Sequence, residues 1–399
     1  VILPDDFRLV AACCIWPPSE RRNAAIRAAA GGNIDWKNVL RVVARQRVSG
    51  LAHDGLERAG IEVPAKVKAR IAADASDIAR QSLMLAQEAL KLQAAFDAAG
   101  LPAAFVKGSA LALLAYGKLG IKHAWDIDLL VEPKDLSRVG TVLAEAGFER
   151  QMPPASMSEE RFRAWTDFAR EGLYRQYVRG TFLELHWRLS DNRSLLAHVT
   201  ASTGTRKVEI APGQFLRTLE DADLFAYLCL HGAHHGWSRM KWLADLAALL
   251  AQKPLAEVET LYRKAKADGV GRAAAQALLL CERLFGLPLP DGLAAEMQRD
   301  RAIRWLVSVA LNAMAGDAAS RQTEDRPLGN FEIEISHFLL ATGMRAWLRE
   351  LESKAIGWTD FQNFALPRPL YFLYPLLRLP SWAWRRVAHK LGGARQSPG

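Results

Sequence analysis

The chain has 399 residues, 50% apolar and 24% charged, a composition that folds rather than one that stays disordered. Its formal net charge of +9 suits an anionic partner such as a nucleotide, a nucleic acid or a membrane surface, without choosing among them. Cys13, Cys14, Cys229 and Cys281 form no Cys-x-x-Cys pair, which implies no zinc framework or disulfide scaffold and points to a reducing cytoplasmic setting. No segment has the layout of a signal peptide, and no uninterrupted apolar run reaches the roughly twenty residues that a membrane span needs.

Residues 1–95 read as a helical support region. Segments 23–30, 36–47 and 67–95 are rich in Ala, Arg, Leu and Lys, and Pro17-Pro18, Gly31-Gly32 and residues 60–64 punctuate them. No catalytic cluster stands out there.

Residues 96–190 form the mixed part. An apolar run over 102–106 predicts a strand, and Lys107, Gly108 and Ser109 break it. Residues 110–116 favour helix, stopped by Gly117 and Gly120. Asp-Ile-Asp-Leu-Leu-Val over 126–131 is a short strand whose alternation puts Asp126 and Asp128 on one face. Two adjacent carboxylates repel unless a cation sits between them, and magnesium, completing its shell with phosphate oxygens, is the expected occupant. Gly108 admits a ligand close to the backbone, and Ser109 opens a helix whose amides point outward, so a phosphate cradle precedes the acidic strand.

A helix is expected over 133–146, an extended piece from Gly147 and a polar loop over 152–160. Residues 172–178 and 181–189 then predict a hairpin around Arg179-Gly180. In its second strand Glu184, His186 and Arg188 share one face, while Leu183, Leu185 and Trp187 share the other.

From about residue 215 the pattern is helical. His231, His235, Ser238, Trp242 and Asp245 fall on one stripe at helical spacing, accompanied by Arg239 and Lys241, with Gly232 and Gly236 open to a close approach. Histidines four apart could share zinc, but there is no His-Glu-x-x-His arrangement, and histidines hydrogen-bonded between domains are the preferred reading. Residues 364–375 are aromatic and proline-rich, and Trp382 and Trp384 precede Arg385, Arg386, His389 and Lys390. That tail suits a membrane interface or a partner groove, or packing on its own domain.

The Lys107-Gly108-Ser109 turn, the Asp126–Val131 strand, Leu183–Trp187 and the stretch 231–245 together resemble the polymerase-beta-type nucleotidyltransferase superfamily, and more narrowly a bacterial branch of nucleotidyltransferase family proteins. The resemblance implies an α+β fold with a polymerase-beta-like core of mixed sheet and helices, flanked by N- and C-terminal helical regions. The corresponding divisions are 1–95, 96–190, 191–355 and a tail over 356–399. It implies magnesium, one ion or two, on Asp126, Asp128 and the third carboxylate Glu184, where many relatives have Asp. Nucleotide binding would fall to Lys107, Gly108, Ser109 and Lys122. Relatives commonly place an arginine at the last of these positions, and lysine supplies a point charge without the bidentate fork.

His186, Arg188, His231, His235, Arg239, Lys241 and Asp245 are further candidates for the cleft. The implied reaction moves a nucleoside monophosphate from a nucleoside triphosphate such as ATP to an unidentified acceptor, by analogy a small molecule, sugar or peptide, with release of pyrophosphate. Modification of a protein side chain (AMPylation) is one alternative. A nucleic-acid-binding or -extending protein is another, although no RNA-recognition, KH or zinc-finger motif is present. A non-catalytic scaffold docking through the tail is the third.

Overall fold

Capping residues set the N-terminal helices. α1 (Asp5–Cys13) follows Pro4, and Ser19 and Asp35 accept the amides of Arg22 and Lys37 to start α2 (Glu20–Ala30) and α3 (Trp36–Gln46). α4 (Ser49–Arg58) and α5 (Ala65–Ala98) complete the set. α1 and α4 fall outside the helical segments expected from the sequence. The computed structural model describes residues 3–315, 331–355, 360–361, 364 and 366–377.

A five-stranded mixed sheet follows, built from β1 (Ala103–Phe105), β2 (Asp126–Val131), β3 (Glu149–Met152), β4 (Glu171–Gln176) and β5 (Thr181–His186) in the order β1-β2-β5-β4-β3. β2 and β5 are parallel and the other pairs antiparallel. α6 (Gly108–Tyr116) links β1 to β2, while α7 (Leu136–Glu145) and α8 (Glu159–Phe168) flank β3 in the chain. The register sets Asp128 beside Glu184 on β2 and β5, and Glu171 opposite His186 on β4 and β5. The fold is α+β, with helical regions on both sides of the sheet in the chain.

One part of the expected C-terminal helical stretch is extended. β6 (Thr205–Ala211) and β7 (Gln214–Leu219) form a hairpin that turns at Gly213, whose φ is +71°. Val208 and Leu216 are buried against the sheet's core while their neighbours Lys207, Glu209, Phe215 and Arg217 are not, a period-2 pattern that suits a strand pair rather than a helix. Helices α9 (Asp221–His234), α10 (Met240–Leu250), α11 (Leu255–Ala267), α12 (Gly271–Phe285), α13 (Leu293–Arg299), α14 (Arg301–Ala315), α15 (Phe331–Leu340) and α16 (Met344–Ala355) come next.

Alternation along β2 serves two cores. Leu130 joins an apolar cluster that unites α1, α3 and α4 with α9 to α12 and α14. Ile127, Leu129 and Val131 join a second cluster with Phe96, Leu143, Leu183 and Leu185. Gln46 ties the first cluster across the chain: its Nε2 donates to the Met314 carbonyl at 3.0 Å, and its Oε1 accepts the Met240 amide at 2.7 Å. Burying both ends of that amide is tolerable because each is satisfied.

In the tail, Tyr371 and Tyr374 pack around Phe361, which in turn meets Trp165 and Phe168 of α8. This described part of the tail packs on its own protein. Trp382, Trp384, Arg385, Arg386, His389 and Lys390 lie outside the described residues. Among the described residues no helix is long and apolar enough to cross a membrane.

Candidate active site

A cleft of about 210 Å³ opens where β2, β5 and the start of β4 meet α6 and the α9–α10 turn. Asp126 and Asp128 point to it because they alternate with Ile127, and Glu184 joins them from the parallel neighbour β5. Asp128 is the most enclosed of the three. Burial alone would raise its carboxyl, but Lys107 Nζ at 2.6 Å and His186 Nε2 at 3.4 Å hold it well below the usual range. Asp126 and Glu184 have no lysine or arginine ion pair among the described residues. Burial and the neighbouring Asp128 charge raise Asp126, and push Glu184 up to about 7.

His186 lies between two acids, with Nε2 toward Asp128 and Nδ1 3.1 Å from Glu171 Oε2. Burial opposes its charge, yet the hydrogen bonds to Asp128 and Glu171 outweigh that and lift it to about 9. Glu171 is in turn held by Arg170, whose Nε is 3.0 Å away. Asp128, Glu184 and His186 bring possible ligand atoms within 4.8 Å of one another; the two carboxylates suit a hard divalent cation, while His186, protonated between Asp128 and Glu171, has no free lone pair to offer it.

The cradle lies at the start of α6. Lys107 is the residue before the helix, and Gly108 has φ +61°, a left-handed conformation that glycine adopts without strain. Beyond its own chain neighbours and helix backbone, an added Cβ at Gly108 would meet no protein atom within 4 Å, so the space beside this glycine is open. Ser109 borders a small adjoining void with Gly108, Asp126 and Asp128.

The stretch expected as one helical stripe is two helices and a tight turn. α9 ends at His234, Gly236 and Trp237 have φ of +56° and +50°, and α10 starts at Met240. The cause is Trp237. Its amide donates to the Gly232 carbonyl at 2.8 Å, and its buried indole lies flat on Gly232, where a Cβ would come within 2.3 Å of the ring. Gly232 therefore admits an indole, not a ligand, and a Cβ at Gly236 would meet Ile333. Gly232→Ala is expected to lower the unfolding free energy by about 1–3 kcal/mol through overpacking. Denaturant melts test this, and an unchanged midpoint would contradict it.

The turn still delivers His231, His235, Lys241, Trp242 and Asp245 to the cleft, while Ser238 is not part of its lining. His231 and His235 meet edge to face at 4.6 Å, and His235 stacks on Trp242 at 5.0 Å. Burial drives His231 far down and His235 to about 3, so both are neutral imidazoles at pH 7. No third ligand joins the two among the described residues. Lys122 is buried, with Nζ 3.3 Å from Asp245 Oδ2, and the Tyr116 hydroxyl donates to the other oxygen of that carboxylate at 2.9 Å.

Four candidates from the sequence lie outside the lining: Ser109, which borders the adjoining void, His186, which is buried between Asp128 and Glu171, and Arg188 and Arg239. Arg188 comes after β5 ends at His186. There the Trp187 and Arg188 amides both donate to the Arg170 carbonyl, which breaks the alternation, and the Arg188 guanidinium donates to the carbonyls of Phe168 and Ala169. Arg239 precedes α10 and is also absent from the lining. Residues that the sequence reading passed over take their place: Arg47, His123, Arg170 and Glu171 all line the cleft. Only Glu171 left a signal, since alternation along β4 and pairing with His186 put it on the acidic face.

A mixed sheet with a glycine-led helix running into a strand of paired carboxylates, and a third carboxylate on the parallel neighbour, defines a nucleotidyltransferase-type core. The chain belongs to the family described as uncharacterised nucleotidyltransferase, whose model matches residues 32–286, well over half its length. No curated protein matches it.

Proposed function

We propose that this protein is a magnesium-dependent nucleotidyltransferase that moves a nucleoside monophosphate from a nucleoside triphosphate to an acceptor hydroxyl. The observation that carries the reading is the placement of Asp128 beside Glu184 on parallel strands, with Asp126 on the same face and two of the three carboxyls raised. Asp126, Asp128 and Glu184 would hold the metal, which when bound supplies positive charge against the triphosphate. The Gly108 and Ser109 amides cradle phosphate oxygens at the α6 N-terminus. The acceptor oxygen forms a bond to the α-phosphorus, the bond from that phosphorus to the bridging oxygen breaks, and pyrophosphate leaves. Glu184, held at about 7, is suited to take the acceptor's proton.

Thermal shift of the full chain with magnesium and each common ribonucleoside triphosphate tests the reading. At least one should raise the melting temperature. No shift with any of them would overturn it. Calorimetry then tests the cradle. Gly108→Val places a branched side chain at φ +61° in the open space before α6, and nucleotide affinity should fall by about 100-fold or more. Wild-type affinity in that variant would exclude the cradle.

A further inference from the structure

The cleft sorts its charges unevenly. Lys107 pairs with Asp128, Lys122 with Asp245 and Arg170 with Glu171. Among the described residues, Arg47 and Lys241 line the same cleft with no carboxylate within 4.0 Å, although the charges of Asp126 and Asp245 reach Lys241. We propose that Arg47 and Lys241 form an anion subsite that holds a phosphate group beside the metal-binding carboxylates. The inference rests on the nucleotidyltransferase reading for the presence of phosphate, and on the pairing pattern for its place.

Arg47 is presented to the cleft by the end of α3. It caps the helix in a left-handed conformation, with φ 55° and ψ 47°, and its amide and that of Val48 close the turn on the Ala44 and Val43 carbonyls. Its side chain is exposed at the cleft. Lys241 sits in the first turn of α10, in reach of the fields of Lys122 and Arg47. Burial and those two cations push Lys241 down to about 7 against the opposing pull of Asp126 and Asp245, a setting that a bound anion reverses. A guanidinium and an ammonium are the usual pair for a phosphate's oxygens. The phosphate comes from one of two sources, the terminal groups of the triphosphate or a phosphorylated acceptor.

The test uses the full chain with magnesium, in calorimetry against inorganic tripolyphosphate, ATP, AMP and inorganic phosphate. Arg47→Gly suits its backbone conformation, and Lys241→Met keeps the apolar stem, so both variants should melt at or above the wild-type temperature. Each is expected to weaken tripolyphosphate and ATP at least tenfold and to leave AMP within twofold, which assigns the subsite to the terminal phosphates. Unchanged ATP with loss of inorganic phosphate binding in the presence of saturating ATP assigns it to the acceptor. Wild-type affinity for all four probes in both variants overturns the subsite. A chain that binds tripolyphosphate through these residues but gains no stability from any nucleoside triphosphate would sink the transferase reading and leave the subsite standing.

Discussion

Asp126→Asn is expected to abolish turnover, a loss of about 10³-fold or more, while the melting temperature stays level or rises. Asp128→Asn is expected to lose turnover and stability together. The two acids share a strand face but not an environment. Asp126 is raised by burial and by its neighbour's charge, so a neutral amide there removes repulsion. Asp128 anchors Lys107 at 2.6 Å and His186 at 3.4 Å, and removing its charge strands two enclosed cations. Breaking a buried pair by deleting one partner costs about 3–5 kcal/mol. Thermal melts beside a pyrophosphate-release assay read both quantities. Magnesium-dependent turnover at the wild-type rate in either variant would end the assignment of that carboxylate.

Glu184→Gln should cut the chemical step by about 100-fold or more and leave nucleotide affinity within a few-fold, because the cradle contacts survive. At limiting magnesium the wild-type rate should climb as pH rises through about 7, since only the ionised carboxylate binds metal, and saturating magnesium should shift that rise to lower pH. Stability has the opposite sign. The folded-state value of about 7 lies above the ordinary 4.5, so the fold favours the protonated acid. That contribution is complete below about pH 4.5 and lost as pH rises through about 7. The glutamine variant should therefore be more stable than wild type at pH 8, and the gap should close by pH 4.5. A pH–rate profile flat between 6 and 8 at limiting magnesium, or a glutamine variant with wild-type turnover, would remove Glu184 from the chemistry.

What could be read from the sequence was local. The β1–α6–β2 unit is written in consecutive residues: an apolar run, Gly108-Ser109, an Ala- and Leu-rich turn of helix, and an alternating strand. The β4–β5 hairpin announces itself in the same way, with Gly180 at its bend. The stripe over 231–245 misled because the spacing of its histidines is helical although its backbone is not. One indole seated on one glycine ends α9, and no periodicity records such a contact. Arg47 and Arg170 reach the cleft only because α3 and the α8–β4 junction pack beside it, which is tertiary information. Arg188 was misplaced by assuming that alternation continues past the last ladder bond of β5.

Lys107 has one more consequence. Its ammonium, lodged on Asp128 and near the Tyr227 ring, gives the acidic pocket an internal counter-ion. Asp128 thus has a partner within the protein itself, so chelators should not melt this scaffold as they melt a zinc finger. The same arrangement makes the ion and the lysine rivals for one oxygen. A triphosphate relieves that rivalry by offering Lys107 a new oxyanion, so metal and nucleotide should each tighten the other's hold, with equal coupling in both directions.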